Sequence, residues 1–301
     1  MKDKTYAAID IGSNAVRLLI KKTDAKDEGS CPRLKKLLLL RVPLRLGFDV
    51  FAKEEVSEKK RENLLRLMKA YKQLIRIYEV NELRACATSA MRDARNGADI
   101  IREIKKETDI NIEIIAGKEE AEIVYNNHIE RSGRDKGRYL YVDVGGGSTE
   151  LNYIQNGNLV KSGSFNIGTV RMLTDKVKPK EWDNMASFLK EIAEAGTGPV
   201  DIIGSGGNIN KLYKMAPEKD AETDSFSVSQ LSVLYHRLAP LSVEQRMERY
   251  SLRRDRADVI IPAAEIFLNI ASEINAGRII VPTIGVADGI IDGLYMKDCK
   301  E

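Results

Sequence analysis

The sequence predicts an α/β protein made of two similar halves, on three observations. Segments with the two-residue alternation of strands recur between segments with the apolar spacing of helices. Each half opens with a strand that ends in the frame apolar–Asp–apolar–Gly, "IDIGSN" at Ile9–Asn14 and "VDVGGGS" at Val142–Ser148. No low-complexity linker lies between them, so the similarity is a duplication at the scale of a domain and not a short solenoid repeat.

The first half begins with "YAAIDIGSNAVRLLIKK", read as two strands joined by a tight turn at Gly12–Ser13–Asn14. "RLKKLLLLRVPLRL" continues as strand material, broken at Pro43. From Ser57 to Tyr78 apolar residues fall at helical spacing, with Ser57 as the N-cap. "LRACATSAMR" reads as a short buried strand ending in a polar loop, "ADIIREIKKETD" as a helix, and "INIEIIAG" as a strand. "KEEAEIVYNNHIE" reads as a helix that starts near Lys118. In the second half, "GRYLYVDVGGGSTELNYIQNGNLV" gives a strand, a glycine turn, a strand, and a hairpin closed by Asn156–Gly157. A third strand at "KSGSFNIGTVRM" precedes a helix from Pro179 to Ala195, a strand at "VDIIGSGG", and several helices. "RIIVPTIGVADGIIDGLYMK" supplies a last strand and a last helix. The halves divide as 1–124 and 125–301, with the last helix, about 286–299, available to pack back on the first.

Composition narrows the function. The chain of 301 residues is 43% hydrophobic with a mean hydropathy of −0.31, ample for globular cores. A net charge of +3 gives no polycation that would demand nucleic acid, while leaving room for a local basic pocket. Nowhere do roughly 18 apolar residues follow one another, and the N-terminus has no apolar signal stretch, so no membrane partner is expected. Cys31, Cys86 and Cys299 are odd in number and lack CxxC spacing, which predicts reduced thiols in a cytoplasmic protein. With only His128 and His236 in the chain, any metal has to rest on oxygen ligands.

The two turns are suited to anions. A backbone that runs through glycines directs successive N–H groups at one anion without interference from Cβ atoms. Gly12, Ser13 and Asn14 offer this in one half, and Gly145, Gly146, Gly147 and Ser148 in the other. Asp10 and Asp143 lie two residues upstream of the first glycine of each turn. Carboxylates beside a phosphate site repel it unless a cation intervenes, so Mg²⁺ (or Mn²⁺) is expected; simple turn-capping is the alternative for each aspartate. A base for phosphate chemistry has to be a carboxylate here, and "GKEEAE" supplies Glu119 and Glu120, with Glu150 leaving the second turn. For at least one of Glu119 and Glu120, compensation of a helix dipole is the plainer role.

The ordered set "AIDIGSNAVRLLI", "ATSAMRDARNG", "EIIAGKEEAEIVY", "VDVGGGSTEL" and "IIGSGGNINKL" resembles the exopolyphosphatase / guanosine pentaphosphate phosphohydrolase family. The resemblance runs on through "LRRDRADVIIPAAEIF" and "GVADGIIDGL". It implies two ribonuclease-H-like domains of the actin, sugar-kinase and heat-shock superfold with an interdomain cleft, a homodimer with no partner other than substrate, and removal of the terminal phosphate from polyphosphate or pppGpp. Carried over residue by residue, the general base falls on Glu120. Glu150 matches the carboxylate that holds the attacking water or the metal, Asp143 the metal-associated aspartate, and Asp10 its counterpart in the first loop. Ser13, Asn14, Gly145, Gly146, Gly147 and Ser148 match phosphate-loop positions, and Arg92 a family arginine near the cleft. Arg17 follows the first loop, placed either to neutralise a substrate phosphate or to form a surface ion pair. Arg256 is the best-matched member of the basic run "RMERYSLRRDR", which lines the substrate path or caps a solvated helix. Gly206 and Gly207 match a glycine pair that approaches adenosine in ATP-binding relatives. They carry the rival reading of a kinase or ATPase on the same superfold; a catalytically silent nucleotide sensor is a third. The chain contains no His-Asp dipeptide of the kind found in the helical domain of longer members, an observation that favours short chains or nucleotides as substrates.

Overall fold

The computed structural model describes residues 4–24, 33–123, 137–282 and 285–300. The chain divides into two compact units, Met1–His128 with Val286–Glu301, and Ile129–Gly285. Each unit is built on its own sheet.

In the first unit, β1 (Thr5–Ile11), β2 (Val16–Thr23) and β3 (Leu34–Val42) form an antiparallel meander. β4 (Glu82–Ala87) and β5 (Ile112–Ile114) add in parallel on the other side of β1, giving the order β3-β2-β1-β4-β5. β1 is buried along its whole length, which explains why "TYAAIDI" reads as apolar on both faces. Four helices follow the chain order: α1 (Leu46–Lys53), α2 (Glu58–Ile77), α3 (Ser89–Asp93) and α4 (Gly97–Thr108). α2 buries Leu64, Met68 and Tyr71, an i, i+4, i+7 stripe, as its spacing requires. Ser57 occupies the N-cap position with extended backbone, yet its hydroxyl is bonded to Asp49 and caps nothing. α5 covers 117–123; the remainder of the helix expected at "KEEAEIVYNNHIE", including His128, lies outside the described residues.

The second unit repeats the plan. β6 (Arg138–Val144), β7 (Thr149–Gln155) and β8 (Asn158–Phe165) form the meander, and β9 (Asp201–Ser205) and β11 (Arg278–Ile280) run parallel to β6. A short antiparallel edge strand, β10 (Ser225–Ser227), completes the order β10-β11-β9-β6-β7-β8. Read from β8 to β11, the order and strand directions are those of β3 to β5, the ribonuclease-H-like arrangement. The hairpin between β7 and β8 closes at Asn156 and Gly157, both at positive φ (50° and 77°), as a tight primed turn demands. Its helices are α6 (Thr169–Leu173), α7 (Pro179–Glu194), α8 (Gly207–Met215), α9 (Val228–Leu238), α10 (Val243–Tyr250), α11 (Arg254–Ala257) and α12 (Ile260–Glu273). α12 is the most apolar, with Phe267 and Ile270 fully buried in the core beside Leu140, Val142 and Ile202.

The last helix, α13 (Val286–Lys300), belongs to the first unit and packs on β1, β2 and β4. Charges fix it there. Buried Lys21 on β2 meets Asp288 at 2.8 Å and Asp292 at 3.3 Å, one helical turn apart. Asp298 accepts from Lys4 at 2.8 Å and from the Tyr6 hydroxyl at 2.6 Å.

Three sequence expectations need correction. The segment after β4 is the helix α3 and not a polar loop, and α1 follows Pro43 where the pattern showed only strand material. Cys299 is disulfide-bonded, which overturns the expectation of reduced thiols throughout. Parity and spacing describe cysteines along the chain, whereas pairing depends on what the fold brings together. Cys31 lies outside the described residues, and Cys86 is a free thiol whose burial pushes its pKa up to about 12.

Candidate functional site

The two glycine turns have the same construction. In the second, the Gly145 N–H donates to the Ser148 carbonyl at 2.9 Å, closing the turn between β6 and β7. α6 lies behind it. The Gly145 carbonyl accepts from the Thr169 N–H at 3.0 Å, and the Gly146 carbonyl from Val170 at 2.8 Å and Arg171 at 3.1 Å. The Gly147 carbonyl accepts from Arg171 Nε at 2.8 Å. A trans peptide points its N–H opposite to its carbonyl. The N–H groups of Gly146, Gly147 and Ser148 are therefore directed away from α6, which is the polarity an anion requires.

In the first turn the Gly12 N–H closes on the Ala15 carbonyl at 3.1 Å. The Ser13 carbonyl accepts from Gly47 at 2.8 Å and the Asn14 carbonyl from Arg45 at 3.0 Å, so the start of α1 plays the part of α6. The N–H groups of Asn14 and Ala15 accordingly point away from α1. The Ser13 hydroxyl bonds the Ser89 hydroxyl of α3 at 2.8 Å.

The flanking strands carry the charges. In β1–β2 register Asp10 faces Arg17, and in β6–β7 register Asp143 faces Glu150. The two pairs occupy equivalent positions with opposite logic. Arg17 forms an ion pair with the buried Asp10 carboxylate, so the first turn contains its own counter-ion. Asp143 (7% exposed) and Glu150 (1% exposed) are two buried acids directly across a ladder, an arrangement that is unfavourable without a cation or proton between them. The Ser164 hydroxyl donates to Glu150 at 3.1 Å. This donor set consists of hard oxygens and fits Mg²⁺ or Mn²⁺. Among the described residues no group of three or more acidic, histidine or cysteine ligands occurs, so the protein's share would be the two carboxylates, as is usual where phosphate and water complete a Mg²⁺ shell.

Gly206 and Gly207 stand at the end of β9, beside this pair. Gly206 has φ 100°, and a β-carbon there would sit 3.1 Å from Asp143 Oδ1. A β-carbon on Gly207 would sit 2.0 Å from Arg256 Nη2, and Arg256 Nη1 donates to Asn208 Oδ1 at 2.7 Å. Gly207 thus makes room for the Arg256 guanidinium. Two other arginines of the basic run go elsewhere: Arg246 holds the carbonyls of Leu238, Ala239 and Ala257, and Arg254 pairs with Glu244 on the surface.

In the first unit the two glutamates of α5 separate clearly. Glu119 is half-exposed and bonded to Arg84 Nη2 at 2.7 Å, while Arg84 also holds Glu113. Glu120 is 7% exposed. Arg92 donates through Nη1 to the Ile115 carbonyl at 2.7 Å and so fixes the backbone that leads into α5.

Sequence reasoning passed over α1, Gly168, Arg171 and Arg84. Gly168 has extended backbone, φ −149° and ψ 160°, so its signal is not conformational. A β-carbon there would lie 2.5 Å from backbone atoms of both Gly146 and Gly147, and only a contact map reveals that.

The chain is similar to known proteins. The chain is 32% identical over 218 residues, 67% of its length, to a bifunctional 3-dehydroquinate synthase/phosphatase of Fusobacterium nucleatum, and the match spans 32% of that relative. The crystal structure of the Aquifex aeolicus Ppx/GppA family member superposes with a TM-score of 0.76 at 26% identity, covering 98% of this chain and 99% of that one. An exopolyphosphatase from Cytophaga hutchinsonii shares the fold with a TM-score of 0.84 at 22% identity, over 98% of both chains. The fold is the two-domain actin-like one. A model of the Ppx/GppA phosphatase family matches residues 23–298, and the chain belongs to that family.

Proposed function

We propose that the protein is a divalent-metal-dependent phosphohydrolase that releases the terminal phosphate of inorganic polyphosphate, short chains favoured, or of pppGpp, by attack of water. The observation that carries this reading is the second turn, whose Gly145, Gly146 and Gly147 carbonyls are bonded to α6 so that three consecutive N–H groups face the other way beside a buried carboxylate pair. Phosphoryl transfer involves little covalent chemistry for the protein, and rests on positioning and electrostatics. The N–H groups of Gly146, Gly147 and Ser148 are suited to phosphate oxygens, as, within the first unit, are those of Asn14 and Ala15. Glu120 orients the attacking water and accepts its proton. When bound at Asp143 and Glu150, Mg²⁺ would supply positive charge to phosphate oxygens. Arg256, seated on Gly207, supplies a guanidinium for further phosphates of the chain.

The test is phosphate release from short polyphosphate, long polyphosphate, pppGpp and ATP in the presence of Mg²⁺, with Glu120→Gln alongside. Release that disappears in the variant is expected. Use of ATP alone, with the phosphate passed to a second acceptor, would replace this reading with a kinase. Absence of all turnover with retained nucleotide binding would replace it with a sensor.

A further inference from the structure

We propose that Arg171 is the positioning residue that sets the second glycine turn for anions, an inference that rests on the phosphohydrolase reading above. The carbonyls of Gly145 and Gly146 are held by backbone N–H groups of α6, contacts that any side chains at those positions permit. The Gly147 carbonyl is held by a side chain, Arg171 Nε at 2.8 Å, while the Arg171 N–H holds the Gly146 carbonyl at 3.1 Å. One residue thus grips two successive peptide planes of the turn.

The plane it grips through the side chain is the one most in need of it. The Gly147–Ser148 peptide follows two glycines, whose backbone angles are the least restrained. Holding the Gly147 carbonyl on α6 fixes the Ser148 N–H on the opposite side. The guanidinium is permanently charged, and a hydrogen bond to a carbonyl polarises its peptide and strengthens the opposed N–H as a donor. Arg171 therefore aims the Ser148 N–H and strengthens it without touching the phosphate. In the first turn the Asn14 and Ser13 carbonyls are held by the backbone of Arg45 and Gly47, and Arg17 pairs with Asp10.

Inorganic phosphate is the probe, titrated by calorimetry and as a product inhibitor into the full-length protein, its Arg171→Met variant (similar length, no donor) and its Arg171→Lys variant. The backbone amide of Ser148 is followed by ¹H–¹⁵N NMR in the same samples. Expected is phosphate binding weakened about tenfold in Arg171→Met, in proportion to one charge-assisted hydrogen bond. A displaced Ser148 amide signal is expected as well, and a smaller loss of binding in Arg171→Lys, which keeps the charge but not the planar donor. A role in stability alone would shift the melting midpoint and leave the Ser148 signal and the phosphate affinity of the folded protein in place. Should Arg171→Met fail to fold, Arg171→Lys carries the test by the same two readouts. Phosphate affinity within twofold of the parent, with an unmoved Ser148 signal, overturns the inference while the phosphohydrolase reading stands. A parent protein that binds no phosphate removes the anion reading and this inference together.

Discussion

Gly168→Ala tests whether the second turn is built by close approach. The alanine β-carbon would lie 2.5 Å from Gly146 C, Gly147 C and Gly147 N, where ordinary contact begins at 3.4 Å. Those are backbone atoms, so no rotamer change relieves the overlap and the turn or α6 has to move by roughly 1 Å. Overpacking of this kind costs about 1–3 kcal/mol, and a clash with backbone belongs near the upper end. The gain from reduced unfolded-state entropy, about 0.4–1 kcal/mol, is smaller. A net loss of about 2 kcal/mol lowers the melting midpoint by roughly 4–8 °C for a unit of this size. Phosphate release should fall further than stability does, because a displacement of about 1 Å at a positioning site costs up to a hundredfold in rate. Gly277→Ala is the control, since nothing lies within 4 Å of its β-carbon; it should stay within about 0.5 kcal/mol. The assay is thermal denaturation beside phosphate release. A Gly168→Ala protein with an unchanged midpoint and full activity would refute the idea that the turn is held by this contact.

Glu120→Gln should lower turnover by about 10²–10⁴-fold, the usual contribution of a general base, with substrate affinity retained. Glu119→Gln should change turnover far less, because Glu119 is half-exposed and engaged by Arg84; steady-state kinetics of both variants decides which glutamate acts. Glu150→Gln relieves the like-charge pair with Asp143, so in chelator-treated buffer its midpoint should exceed the parent's, while added Mg²⁺ should stabilise the parent and not the variant. Scanning calorimetry with and without Mg²⁺ measures both effects. Hydrogen bonds from Lys4 and Tyr6 hold the Asp298 carboxyl below its ordinary value of 3.8. A depressed acid stabilises the fold above the unfolded-state pKa and loses that contribution as pH falls through the folded-state value. The stability difference between parent and Asp298→Asn should therefore be full well above pH 3.8 and decline as the pH falls below that value; a difference that does not decline would show that Asp298 acts by packing.

The sheets were legible because strand alternation and the repeated Asp–apolar–Gly frame are local signals, and in both units the strands flanking the turn pair with each other. The helices behind the turns were not. "LRLGFDVFAK" and "GTVRML" have weak periodicity, and their role is to bond carbonyls of a distant segment, Ser13 and Asn14 in one case and Gly145 and Gly146 in the other. Such a contact leaves no trace in spacing. Spacing alone does not separate Glu119 from Glu120, which the family resemblance distinguishes and which differ in the fold in that Glu119 meets Arg84. The edge strand β10 has three residues and no pattern of its own. Motif residues can be singled out where chemistry restricts the residue type, and residues that support them are missed where geometry alone selects them.

The comparison of Asp10–Arg17 with Asp143–Glu150 carries the argument one step further. A duplicated hairpin places an acid at the end of its first strand in both units, and the next strand places a partner directly opposite. In the first unit that partner is a guanidinium that never deprotonates at any pH the protein survives. In the second it is another acid. The first turn pairs its acid with a guanidinium across the ladder, whereas the second sets two acids across it. On the phosphohydrolase reading proposed above, the divalent metal is expected at the Asp143–Glu150 pair, with Asp10 held by Arg17. Mn²⁺ counted by electron paramagnetic resonance should give one ion per chain, lost in Asp143→Asn and retained in Asp10→Asn. Loss of the ion in Asp10→Asn would show that the two turns share the metal after all.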